Sequence, residues 1–185
     1  MPKIDQARIL VMATHGFEQS ELMTPEAELL ELGALVEIAS PDGQPIRGWD
    51  EDHWGEEVEA DLAIRDARVE DFDALVLPGG QINPDTLRTD EAAVAFIRAF
   101  AESSKPVAAI CHAPWLLVEA GLAQGRTMTS FRSIRTDVIN AGAAWVDEEV
   151  VVSGNVITSR QPSDLHAFVR VIVREVESDR ARSAA

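Results

Sequence analysis

The run Val107-Ala108-Ala109-Ile110-Cys111-His112-Ala113-Pro114-Trp115-Leu116-Leu117 leaves this chain few ways to fold. Residues 107–110 are small or β-branched and uniformly apolar, which suits a strand covered on both faces. Pro114 presets φ for a first helical position, where its missing N–H costs nothing. A strand that turns so abruptly into a helix puts the junction residue on a sharp elbow over the C-terminal edge of a sheet, with the helix N-terminus aimed at it. Cys111 holds that junction, His112 follows it, and it is the single cysteine of the chain. The helix dipole, unpaired N–H groups and a charged imidazole each favour thiolate over thiol. A lone cysteine in an apolar run is often no more than a small buried hydrophobe. The elbow and the adjoining histidine favour a nucleophile instead.

The flanking sequence supplies the sheet. Residues 7–13 read as a strand, residues 20–32 as an amphipathic helix (Leu22, Ala27, Leu29, Leu30, Leu32) stopped by Gly33, and residues 35–39 as a second strand. This β-α-β opening implies a parallel sheet with a right-handed crossover. Residues 73–77 form a third strand ending in Pro78-Gly79-Gly80, and residues 90–103 a helix broken by Lys105-Pro106. After the elbow helix, which Gly121 stops, come a short strand at 127–130, a helix at 134–141 and a hairpin of 150–153 with 156–159 about Gly154-Asn155. A helix at 162–176 closes the order. Residues 41–55 read as a loop or hairpin excursion, with residues 58–65 available to pair with it. Trp49, His53 and Trp54 in that excursion suit an aromatic binding surface, a core cover or a subunit contact. The fold class expected is α/β, a doubly wound, mostly parallel sheet with helices on both faces, in one domain over residues 1–177 and a frayed tail at 178–185.

Charge narrows the partners. The 185 residues carry 32 acids against 16 bases, a formal net charge of −16. That argues against nucleic acid and against an anionic membrane, both of which need a basic face. One cysteine excludes an intramolecular disulfide framework and fits a reducing compartment. No leader peptide is visible after Met1-Pro2-Lys3, and no segment approaches a membrane span, so a soluble cytoplasmic protein is expected. His15 and His53 lack ligand-spaced partners, so no metal site is expected.

In an open parallel sheet, ligands sit beyond the carboxyl ends of the strands. Four features fall on that edge: the Glu18 loop after the first strand, Gly79-Gly80 after the third, Cys111-His112 after the fourth, and Thr129-Ser130. A carboxyl beside a thiolate repels it when ionised and donates a hydrogen bond to it when protonated.

The order Gly16-Phe17-Glu18-Gln19-Ser20-Glu21-Leu22, Leu77-Pro78-Gly79-Gly80 and Ala109-Ile110-Cys111-His112-Ala113-Pro114 resembles the ThiJ/PfpI family, of the class I glutamine-amidotransferase-like superfamily. Asp137-Val138-Ile139-Asn140-Ala141-Gly142, Trp145-Val146-Asp147, Thr158-Ser159-Arg160, Pro162 and Asp164-Leu165 extend the likeness over nearly the whole chain. The resemblance implies a flavodoxin-like sandwich in which Cys111 is the nucleophile, His112 its imidazole partner and Glu18 the carboxyl touching the sulfur. It implies an oxyanion hole from the N–H groups of Gly80 and His112. It also implies that Asp85 reaches the Cys-His pair of a neighbouring subunit, within a homodimer or larger homo-oligomer. The activities it implies are cofactor-free and act on carbonyl carbon: deglycation, glyoxalase chemistry or peptide hydrolysis, on small carbonyl adducts or peptides. The alternative is an oxidative-stress sensor with an oxidisable Cys111 and little turnover; a chaperone, with so few aromatics, ranks last. Two departures stand out. Ala113 replaces the family's usual Gly, and His166 follows Asp164-Leu165 where Pro is usual. Because Phe168 occupies the place of the Glu that accompanies the distant catalytic histidine of true amidotransferases, His166 is read as a surface residue.

Overall fold

A computed structural model of the chain describes residues 4–183, with side-chain surroundings given for residues 4–179. Met1–Lys3, which bear on the expected absence of a leader peptide, lie outside the described residues.

Seven strands make the central sheet: β1 (Arg8–Met12), β2 (Leu35–Ser40), β5 (Leu62–Ala63), β6 (Ala74–Leu77), β7 (Val107–Ile110), β10 (Val150–Ser153) and β11 (Val156–Ser159). Outside it, β3 (Ile46–Asp50) pairs with β4 (His53–Val58), and β8 (Thr127–Met128) with β9 (Ala144–Trp145). The order across the central sheet is β10-β11-β7-β6-β1-β2-β5. All neighbours pair in parallel except β10, which is antiparallel to β11. Among the described residues six α-helices accompany the sheet: α1 (Gln19–Glu31), α2 (Ile82–Leu87), α3 (Glu91–Glu102), α4 (Pro114–Glu119), α5 (Arg135–Asn140) and α6 (Leu165–Ser183). Side chains alternate across the strands, so each strand feeds two cores. Leu10, Met12, Leu75, Leu77 and Ala109 pack with α3, α4 and α5, while Ile9, Val11, Val76 and Ile110 pack with α1 and α6. β6 and β7 are buried throughout, and β1 is buried from Ile9 onward, as their apolar runs require.

Chain order reverses beside β1: β2 lies on one side, and β6 and β7 on the other. The crevice at such a switch point, beyond the strand C-termini, is where open α/β sheets bind ligands.

Five parts depart from the sequence reading. The excursion hairpin is β3 with β4, so the pairing closes at Ile46 with Val58. Residues 62–63 instead extend the main sheet beside β2. The strand expected at 127–130 is only the two-residue β8, which pairs with β9 and not with a strand of the main sheet. The sequence does not announce α2, because Asn83 and Pro84 discourage a helical reading. Finally, α6 continues through residues 178–183, part of the stretch expected to be a frayed tail; Ala184 and Ala185 lie outside the described residues.

Candidate active site

Cys111 takes φ +64°, a left-handed conformation that a non-glycine residue adopts at a cost of about 1–3 kcal/mol. The elbow is held by its own backbone. The Cys111 N–H donates to the Ser159 carbonyl at 3.1 Å, and the Cys111 carbonyl accepts from the Phe131 N–H at 2.8 Å. Ala113 N–H closes the turn onto Ile110 O at 2.9 Å before Pro114 starts α4.

The elbow delivers a thiol and an imidazole together. His112 Nδ1 lies 3.2 Å from Cys111 Sγ, and Nε2 lies 2.9 Å from Ser133 Oγ. Phe131 stacks on the ring at 4.9 Å, and Trp115 meets it near edge-on at 5.3 Å. Burial lowers the imidazole pKa, so the neutral form is favoured at rest.

The carboxyl that meets the sulfur is Glu21, which corrects the expectation placed on Glu18. Glu18 is the N-cap residue of α1, and its half-buried carboxyl takes the Ser20 hydroxyl at 3.4 Å. Glu21 lies in the first turn of α1 on the stripe that buries Leu22, Pro25 and Leu29. One turn of helix therefore carries it under the elbow while Glu18 stays at the rim. Glu21 is fully buried; its Oε2 accepts from the Gly79 N–H at 2.9 Å, and its Oε1 has no hydrogen-bond partner among the described residues. Burial pushes its pKa up to about 8, against the opposing pull of Cys111 and the Gly79 N–H. Burial likewise pushes the Cys111 thiol up, as does the Glu21 charge, while the N–H groups of Gly80 and His112 pull it down. Glu21 repels a thiolate only when ionised; with its proton on, it is a donor facing the sulfur. Burial raises the pKa of Glu18 too, and the nearby charges of Asp50 and Glu51 add to the effect.

The double glycine is sterically required. A Cβ on Gly79 would fall 2.6 Å from Glu21 Oε2 and 2.7 Å from Cys111 Cβ; Gly80, at φ +79°, would strike Gly16 O at 2.5 Å. Its loop is tied by Asn83, fully buried, whose Nδ2 donates to Pro78 O (2.8 Å) and Gly79 O (3.2 Å) and whose Oδ1 accepts from Thr14 N–H (2.8 Å).

These groups open into a cavity of about 410 Å³ whose lining includes Glu18, Glu21, Trp49, Glu51, Cys111 and His112. Among the described residues no lysine or arginine lines it. Residues 7–175 match the sequence model of the DJ-1/PfpI family. The chain belongs to the DJ-1/PfpI family. Bacillus subtilis YraA, provisionally named a cysteine protease, is 46% identical over 88% of this chain and 94% of its own. Deglycase PfpI of Pyrococcus furiosus is 44% identical over 90% and 98% of the two chains. Among solved structures, Drosophila melanogaster DJ-1beta superposes with a TM-score of 0.84 at 28% identity, covering 93% of this chain and 91% of its own. The fold is thus the flavodoxin-like sandwich of DJ-1/PfpI proteins, and the named relatives support a PfpI-type cysteine enzyme of hydrolase type.

Other candidates fall as follows. Asp85 is exposed on α2 and does not line the cavity of its own chain. Thr129 and Ser130 are buried beside the elbow without lining the cavity, and Ser130 Oγ accepts from Trp145 Nε1 at 2.9 Å. Trp49 lines the cavity, whereas Trp54, packed edge-on against it at 5.4 Å, is exposed. His15 Nδ1 accepts the Arg47 N–H, and exposed His166 pairs with Glu28. Sequence reasoning missed Glu21, Asn83 and Ser133. For Glu21 a signal existed: an acid at i with Pro25 and Leu29 at i+4 and i+8 lies inside an apolar stripe.

Proposed function

We propose that this protein is a cofactor-free cysteine enzyme that acts on small carbonyl adducts, in deglycase or glyoxalase fashion, through Cys111. The observation that carries the reading is the strained elbow, which holds the thiol 3.2 Å from an imidazole nitrogen at the floor of a small cavity. The deglycase names of several relatives support it.

The chemistry runs on the residues in place. His112 Nδ1 takes the thiol proton, and Sγ adds to the carbonyl carbon while the π electrons move to oxygen. The N–H groups of Gly80 and His112 hold that oxyanion, in a buried setting where such donors act strongly. Protonated Glu21 steadies the thiolate before attack. A cavity of about 410 Å³ suits an adduct of a few carbon atoms better than an extended peptide, so peptide hydrolysis ranks second. The carboxyls of Glu18 and Glu51 beside the cavity disfavour anionic substrates.

The deciding experiment is methylglyoxal-adduct turnover by reduced protein beside Cys111→Ala, with no cofactor added. Turnover is expected in the wild type and absent in the variant; activity that survives the substitution sinks the proposal. A sensor role is the second reading. It is favoured by the buried, unpartnered Oε1 of Glu21, whose proton can be donated to an oxygen of an oxidised Cys111. Intact-mass spectra after mild peroxide are then expected to show a stable species two oxygens heavier.

A further inference from the structure

We infer that Ser133 of the same chain positions His112 for proton exchange with Cys111. This rests on the proposed Cys111–His112 pairing but not on the identity of the substrate.

Both ring nitrogens of His112 are committed within one chain: Nδ1 to Cys111 Sγ and Nε2 to Ser133 Oγ. For Nδ1 to accept the thiol proton it must be bare, so the ring's own hydrogen must sit on Nε2. A hydroxyl oxygen at 2.9 Å gives that N–H an acceptor, before and after the transfer. Stacking on Phe131 and the edge contact with Trp115 fix the plane of the ring but not which way it faces, because a half-turn keeps the same plane. The Ser133 contact selects the orientation: the half-turn would carry Nε2 away from Oγ and put carbon in its place.

The serine is registered directly on the elbow. Phe131 N–H donates to Cys111 O at 2.8 Å, and Ile134 is buried, so residues 131–134 are pinned on both sides of Ser133. Its neutrality also suits the surroundings. The titratable groups facing this ring and its cavity are Cys111 from the elbow, Glu18 and Glu21 from the start of α1, and Glu51 from the β3–β4 turn. Among the described residues no carboxyl is hydrogen-bonded to His112. A hydroxyl orients the ring without adding a fourth acid to this cavity.

Ser133 is exposed, so its replacement leaves the core untouched. The test compares Ser133→Ala, Ser133→Thr and Ser133→Asp in the full chain. The readouts are the iodoacetamide alkylation rate of the sole cysteine across pH and the ring ¹⁵N shifts of His112. Wild type is expected to hold the Nε2–H tautomer. Ser133→Ala is expected to mix the tautomers and slow alkylation at neutral pH roughly tenfold, the scale of one net hydrogen bond. Ser133→Thr restores both readouts by keeping the hydroxyl. Ser133→Asp speeds alkylation below neutral pH, because its carboxylate stabilises the imidazolium that accompanies the thiolate. An unchanged tautomer and pH profile in Ser133→Ala overturns the inference. So does a loss that threonine fails to repair. Neither readout uses a substrate. Absence of methylglyoxal turnover defeats the proposed activity alone, and an unaltered Ser133→Ala defeats only the positioning role.

Discussion

The two ends of the β7–β11 pair carry nearly the same backbone torsion for opposite reasons. At the N-terminal edge, Gly154 (φ +65°) turns β10 into β11, and Asn155 O then accepts the Val107 N–H at 2.9 Å. At the C-terminal edge, Cys111 adopts φ +64°. Glycine reaches that region without steric conflict; cysteine does not. The lower turn is therefore relaxed and only joins strands. The upper one is strained and persists because Ser159 O, Phe131 N–H and the start of α4 over-determine it. Strain thus gathers where the thiol must project, and not at an equivalent turn about one strand length away.

That contrast can be broken by experiment, beginning with the largest effect. Cys111→Gly and Cys111→Ala are both expected to lose turnover by at least roughly a thousandfold, since no nucleophile remains. The glycine variant is nevertheless expected to be the more stable of the two, by about 1 kcal/mol in urea titrations, because it relieves the left-handed torsion. Equal stabilities would show that the elbow is not strained.

Glu21→Gln comes next. The folded-state pKa of Glu21, about 8, lies above the ordinary glutamate value of 4.5, so the folded protein keeps this proton longer than the unfolded chain does. Its contribution is fully present below about pH 4.5 and is lost as pH rises through about 8, at about 1.4 kcal/mol for each pH unit between the two. Wild-type stability is therefore expected to fall by on the order of a few kcal/mol across this window relative to Glu21→Gln, which keeps a neutral group there. Parallel pH profiles from chemical denaturation would refute the buried neutral acid.

The smallest effect belongs to the lower edge. Gly154→Ala is expected to cost about 1 kcal/mol, a melting-point loss of about 2–4 °C, with turnover unchanged. A drop in turnover would mean that the two edges communicate.

How much of this was legible in the sequence follows from which forces decide each part. The buried strands β1, β6 and β7, the helices α1 and α3 and the Gly154 hairpin all announce themselves through local pattern, and so does the elbow. Short elements fail that test. β5 has two residues and no periodicity, and its place beside β2 is set by the sheet edge it completes. Glu18 and Glu21 differ by less than one helical turn, and only the apolar stripe that Glu21 shares with Pro25 and Leu29 tells them apart. Ser133 sits in a turn without pattern, and only the return of residues 131–134 to the elbow brings its hydroxyl to His112.

Asn83 has a consequence for ligand capture. By gripping Thr14, Pro78 and Gly79 at once, it freezes the loop that presents the Gly80 N–H before any ligand arrives. The entropy of ordering that loop is settled during folding and is not charged to each encounter. A preorganised site of this kind loses little freedom on binding, which lets even a very small molecule gain useful affinity from a handful of contacts.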